Sequence, residues 1–78
     1  MVKRNRASTT RLDSVFHALS DPTRRSILRD VSAHEKTVTE IAAPYRVSLA
    51  AVSKHLKVLE AAGLIRRNLA GHFTRVRT

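Results

Sequence analysis

Ala50, Ser53, Lys54 and Lys57 share one side of a segment whose apolar residues Val52, Leu56 and Leu59 cluster on the other, when the chain is wound at about 100° per residue. The polar side offers two small residues, one of them a hydroxyl, and two ammonium groups, with no acid among the four. This is chemistry for recognition rather than catalysis. Small side chains permit close approach to a base edge. A serine hydroxyl can donate or accept there or at a phosphate, and lysines reach guanine acceptors or the backbone. Ser48 stands ahead of the segment as an N-cap, which turns free N–H groups and a positive dipole end toward anything anionic. The competing explanation is the solvated basic face of an ordinary amphipathic helix. Further along, Arg66, Arg67, Arg75 and Arg77, with His72 among them, extend the basic character.

Catalytic signatures are missing. There is no Ser-His-acid order, paired-carboxylate motif or Gly-rich phosphate loop, and two glycines make a nucleotide cradle hard to build. No enzyme, catalytic residue or cofactor is expected. Asp13 and His17 are four apart, as are Asp30 and His34, so each pair can share a helix face. Each would supply two metal ligands where a site needs three or four; helix-surface ion pairs are expected, and no metal. The absence of cysteine excludes thiolate sites and disulfides.

The chain has 78 residues, enough for one small domain. Fifteen Lys and Arg against six Asp and Glu give a formal net charge of +9, which favours a polyanionic partner. Nucleic acid comes first and an anionic membrane surface second. Phe16, Tyr45 and Phe73 are the only aromatics, too few for a base-stacking platform, which argues against single-strand binding. No apolar run approaches the roughly 20 residues of a membrane span, and the N-terminus lacks the apolar core of a secretory signal. A cytoplasmic protein that does not enter a membrane is expected.

The elements that must position the basic face can be read in order. Residues 1–10 are polar and basic without apolar period, and are expected to form a disordered arm. Leu12, Val15, Phe16 and Leu19 form one helical stripe. Asp21-Pro22 is an N-cap followed by the first helical position, opening a helix through Ile27, Leu28 and Val31 to about Ala33. Thr37-Val38 is β-friendly. Thr39 is expected to cap a short helix from Glu40 to about Tyr45 that Pro44 kinks or ends. After the Arg46-Val47 connection, Ser48 opens a helix reaching Ala62, with Gly63 in the C′ position. Leu64 to Leu69, the Ala70-Gly71 turn and His72 to Arg77 read as a β-hairpin. A short helix, a tight turn, a longer helix with a basic outer face and then a hairpin make residues 11–78 a winged helix-turn-helix: mainly α with a β-hairpin wing.

In this order and spacing the chain resembles the arsenical-resistance repressor (ArsR) family of bacterial winged helix-turn-helix regulators, from about Leu12 to Thr78. The resemblance rests on Phe16-His17-Ala18-Leu19-Ser20-Asp21-Pro22-Thr23-Arg24, Val52-Ser53-Lys54-His55-Leu56-Lys57-Val58-Leu59 and Ala62-Gly63-Leu64-Ile65. It implies a homodimeric transcriptional repressor on an imperfect palindrome of double-stranded DNA. It also implies that Ser53, Lys54 and His55 lie in the DNA-reading helix and that Gly71 and His72 lie at the wing tip. Metal-sensing members carry cysteines where this chain reads Thr37-Val38-Thr39-Glu40, so metal sensing through thiolates is not expected. Family members usually continue after the wing with a helix that pairs with the first helix to build the dimer. That helix is absent here, which weakens the expectation of a homodimer through the first helix. The expected DNA contacts are Ser48, Ala50, Ser53, Lys54, His55, Lys57, Arg67, Gly71, His72 and Arg75. The alternative is a winged-helix module that binds RNA or another protein. A protein-docking helix should expose aromatic or leucine anchors, and the face described offers Ala50, Ser53, Lys54 and Lys57 instead.

Overall fold

The structure is a computed structural model that describes residues 6–77, with side chains described from residue 10 onward. Its elements are α1 (Arg6–Leu19), α2 (Pro22–Ala33), α3 (Val38–Ala42), α4 (Leu49–Ala61), β1 (Ile65–Arg67) and β2 (Phe73–Arg75). This is the expected order: four helices, then an antiparallel hairpin. No described helix is long and apolar enough to cross a membrane.

The strongest boundary signals act locally, and these fall where the sequence places them. Asp21 is extended, accepts from the Arg24 backbone N–H at 2.9 Å, and is followed by Pro22 at the helix start. Ser48 accepts from the Ala51 N–H at 3.1 Å. At the far end of α4, Gly63 takes φ +75°. Its N–H donates to the Glu60 carbonyl, and that of Leu64 donates to the Leu59 carbonyl. This paired closure of the last turn needs a residue that tolerates left-handed backbone.

Three expectations are corrected. The arm expected over residues 1–10 is helical in its described part, since α1 begins at Arg6; residues 1–5 lie outside the described residues. Extending an established helix fixes one residue per added hydrogen bond, so polar residues can join once the apolar stripe has nucleated it. The short helix is capped by Thr37, not Thr39. Thr37 Oγ1 accepts from the Glu40 N–H at 3.2 Å and Glu40 Oε1 accepts from the Thr37 N–H at 2.9 Å, a reciprocal box that satisfies two end donors. The helix ends at Ala42, so Pro44 lies beyond it. Finally, the β-friendly Thr37-Val38 forms no strand, being the cap and first residue of α3; the bridge, between Lys36 and Phe73 with backbone bonds of 3.1 and 2.7 Å, falls one residue earlier.

The core gathers one face of each element: Ala18 from α1, Ile27 and Val31 from α2, Ile41 from α3, Val52, Leu56 and Leu59 from α4, Ile65 and Phe73 from the hairpin. Each large side chain removed from water contributes roughly 1.5–3 kcal/mol. The α4 stripe is therefore fastened to every neighbour. The α1 stripe is divided: Ala18 faces the core, Val15 and Leu19 are half-buried, and Leu12 and Phe16 remain 55% and 68% exposed. Outside the core, the Tyr45 hydroxyl bonds to Ser26 Oγ at 2.8 Å and ties the segment after α3 to α2.

Candidate nucleic-acid interface

With Val52, Leu56 and Leu59 buried, the opposite side of α4 is presented outward. Ala50, Lys54 and Lys57 are exposed and Ser53 is half-buried. Ser48 is exposed at the helix start, with its oxygen engaged as the cap. Leu49 and Val47 stand beside it, about half exposed. Val47 precedes the helix, and Leu49 falls about 60° from Val52, beside the buried stripe and not on the polar side. An apolar group here suits a thymine methyl.

The wing is joined to this face by Arg67. In the hairpin Arg67 pairs with Phe73 and Ile65 with Arg75, so all four side chains belong to one side of the ribbon. The Arg67 guanidinium lies over the Phe73 ring, 5.7 Å from its centre. It helps line a cleft of about 150 Å³ between α4 and the wing, together with Ser53, Lys57, Glu60 and Phe73. The same guanidinium reaches Gly71, where an added Cβ would meet it at 3.6 Å. Arg75 sits at the other end of that side. It lines openings with Val31, Ser32 and Arg77, and with Arg25, Leu28 and Arg29 of α2. The structure thus brings Ser53, Lys57 and Arg67 together and sets Arg75 apart from them.

The wing tip is built by Asn68. Its side-chain oxygen accepts from the Ala70 and His72 N–H groups at 3.0 Å each, and its carbonyl accepts from Gly71, which takes φ +82°. Leu69 is fully exposed at the apex. His72 is held from below: its Nδ1 lies 3.0 Å from Glu35 Oε1, and Asn68 Nδ2 donates to Glu35 Oε2 at 3.4 Å. A carboxylate only accepts, so Nδ1 of His72 carries the proton.

Known proteins share this arrangement. Residues 19–68 match the helix-turn-helix domain family. The chain is 37% identical over 62 residues to the transcriptional repressor SdpR of Bacillus subtilis (strain 168), covering 80% of this chain and 69% of that protein. A solved ArsR family transcriptional regulator superposes with a TM-score of 0.80 at 36% identity, over 86% of this chain and 77% of the other. An ArsR-like transcriptional regulator from Rhodococcus sp. RHA1 gives 0.81 at 33% identity, over 90% and 69%. The chain belongs to the ArsR family of winged helix-turn-helix transcriptional regulators. As an ArsR-type regulator it is a DNA-binding protein.

Several residues of this ArsR-type fold that brace α4 and the wing carry no periodic signal. Arg24, in the first turn of α2, spans three groups. Its Nε donates to the Ala18 carbonyl at 2.8 Å, its Nη2 to the His17 carbonyl at 2.9 Å, and its Nη1 lies 3.2 Å from His55 Nδ1. Arg25 donates to the Leu19 carbonyl at 2.8 Å. Cations placed on the last carbonyls of α1 satisfy acceptors that the helix leaves open and oppose its dipole. Glu35 and Asn68 likewise read as ordinary loop residues until the fold sets them beside His72. Two carboxyls are held below their ordinary values: Asp21 chiefly by the Arg24 backbone N–H, and Glu40 chiefly by the Thr37 backbone N–H. Among the described residues no three His, Cys, Asp or Glu gather as metal ligands would.

Proposed function

We propose that this chain represses transcription by occupying operator DNA with α4 in the major groove and the wing tip against the flanking backbone. The observation that carries this is the outward face of α4, where Ala50, Ser53, Lys54 and Lys57 include no acid, and beside which a cleft with Glu60 on its wall leads on to Arg67. A helix of this width fits a groove about 12 Å wide. In this reading Ala50, Ser53 and Lys54 meet base edges, while Ser48, His55, Lys57, Arg67, Gly71 and His72 serve backbone phosphates. Arg75 stays outside this group and at most meets phosphate from the α2 side. No step needs a cofactor or a metal, and the activity is binding rather than catalysis, in the cytoplasm where promoters are.

The exposed Leu12 and Phe16 give α1 an apolar face suited to a second copy, and a symmetric dimer would place two reading helices about one DNA turn apart. Selection of bound duplexes from a random pool, with stoichiometry measured on the winners, tests the whole scheme. A palindromic consensus bound by two chains is expected. With about four phosphates neutralised per half-site, the slope of log affinity on log salt should be near −7. Affinity insensitive to salt, or preference for RNA over duplex DNA, would overturn it.

A further inference from the structure

Arg24 and His55 are 31 residues apart in sequence and meet at 3.2 Å. The meeting has a chemical consequence. A guanidinium carries five N–H donors and no acceptor at any accessible pH. The ring nitrogen facing it must then be the lone-pair nitrogen, so the proton of the neutral imidazole resides on Nε2. The competing arrangement is a protonated Nδ1 donating to Asp21. That contact is 4.0 Å long, beyond a hydrogen bond, and Asp21 Oδ2 is already engaged by the Arg24 N–H at 2.9 Å. His55 keeps a quarter of its side chain exposed, and Nε2 has no hydrogen-bond partner among the described residues.

Arg24 is itself fixed. Two carbonyls at the end of α1 take Nε and Nη2, which leaves Nη1 for the histidine and little freedom for the guanidinium plane. The chain from α1 through Arg24 to α4 therefore sets both the orientation and the proton position of a residue on the flank of the DNA-facing helix.

We propose that Arg24 is a positioning residue for DNA binding: it locks His55 as the Nε2–H tautomer, so that α4 presents a neutral, directed donor to a backbone phosphate. This rests on α4 being the DNA-facing helix, and the test separates the two ideas. The tautomer is read without DNA, by nitrogen NMR of the imidazole in the free 78-residue protein at neutral pH. The expected spectrum has Nδ1 unprotonated and Nε2 protonated. In Arg24→Lys, which keeps the charge but cannot span both carbonyls and the ring, the two tautomers should mix. A protonated Nδ1 in the unsubstituted protein overturns the proposal whatever the DNA result.

Binding to the selected duplex then completes a double-mutant cycle. His55→Ala and Arg24→Ala should each weaken binding about tenfold, and the pair together no more than either alone. His55→Gln, whose amide can accept from Arg24 and still donate, should bind close to the unsubstituted protein. Losses that multiply would mean that Arg24 acts independently of His55, and would overturn the coupling. Circular dichroism of Arg24→Lys keeps a lost fold from being mistaken for a lost contact. If no duplex binds while the tautomer is as stated, the DNA-binding scheme fails and the lock itself stands.

Discussion

The flank of α4 and the tip of the wing each hold one histidine against a charged side chain, and the two charges are opposite. His55 faces the Arg24 guanidinium at 3.2 Å and His72 faces the Glu35 carboxylate at 3.0 Å, both through Nδ1. A donor on one side and an acceptor on the other demand opposite proton positions on the same ring atom. Residue type alone says nothing of this. The supports differ as well. α4 is anchored by three buried side chains, whereas the wing has strands of three residues each, buries only Ile65 and Phe73, and is held at its tip by the polar latch of Glu35, Asn68 and His72. The helix is held by burial and the wing tip by exposed hydrogen bonds.

The largest expected effect tests the burial side of that contrast. Leu56→Ala should destabilise the whole domain by about 2–5 kcal/mol, measured by urea unfolding, because the cavity opens where α4 meets the rest of the core. If the loss were under 1 kcal/mol or so, α4 would not depend on burial as described. Lys54→Ala comes next and should leave stability unchanged. It should cost on the order of 1–3 kcal/mol in binding if Lys54 reads a base, with specificity relaxed at one operator position. An even loss across all sequences would move Lys54 to the phosphate group.

Glu35→Gln tests the latch. The pair is exposed, so the expected cost to DNA binding is only about threefold. Faster hydrogen exchange at the His72 amide should accompany it, with α4 amides unchanged. Equal acceleration in both regions would erase the distinction between them.

The smallest effect concerns acid. Asp21 is held below its ordinary value of 3.8, chiefly by the Arg24 N–H. A group with a lowered folded value binds its proton more weakly folded than unfolded. Its stabilisation is therefore complete above 3.8 and fades as pH falls through the lower folded value. Glu40 behaves alike below 4.5, through the Thr37 N–H. Asp21→Asn keeps a cap but has no carboxyl, so unfolding measured across a pH series should show a shallower acid decline than the unsubstituted protein. An unchanged slope would mean that Asp21 contributes nothing to acid sensitivity.

Much of the fold was legible because its strongest signals are short-range. Asp21-Pro22, Ser48 and Gly63 each act within one helical turn, and all three stand where the sequence implies. The Thr37 cap was legible too: Thr37 and Glu40 have the spacing of a capping box, which Thr39 lacks. Arg24, Glu35 and Arg75 were not legible. Their roles depend on partners 31 and 37 residues away, or on which end of a two-stranded ribbon faces which helix.

The order of elements, the basic outer face of α4 and the family to which the chain belongs follow from the residues in order, because helical period, caps and charge are properties of neighbouring residues. Which apolar stripe is covered came from the packing of the elements: Val52, Leu56 and Leu59 are buried, while Leu12 and Phe16 of a similar stripe are left in the open. The packing also decided that Arg67 belongs with α4 and Arg75 with α2, and that the two held histidines carry their protons on different nitrogens. An amphipathic pattern states that a face needs a partner, and a histidine states that a proton has two seats; which partner and which seat follow from what folding brings alongside.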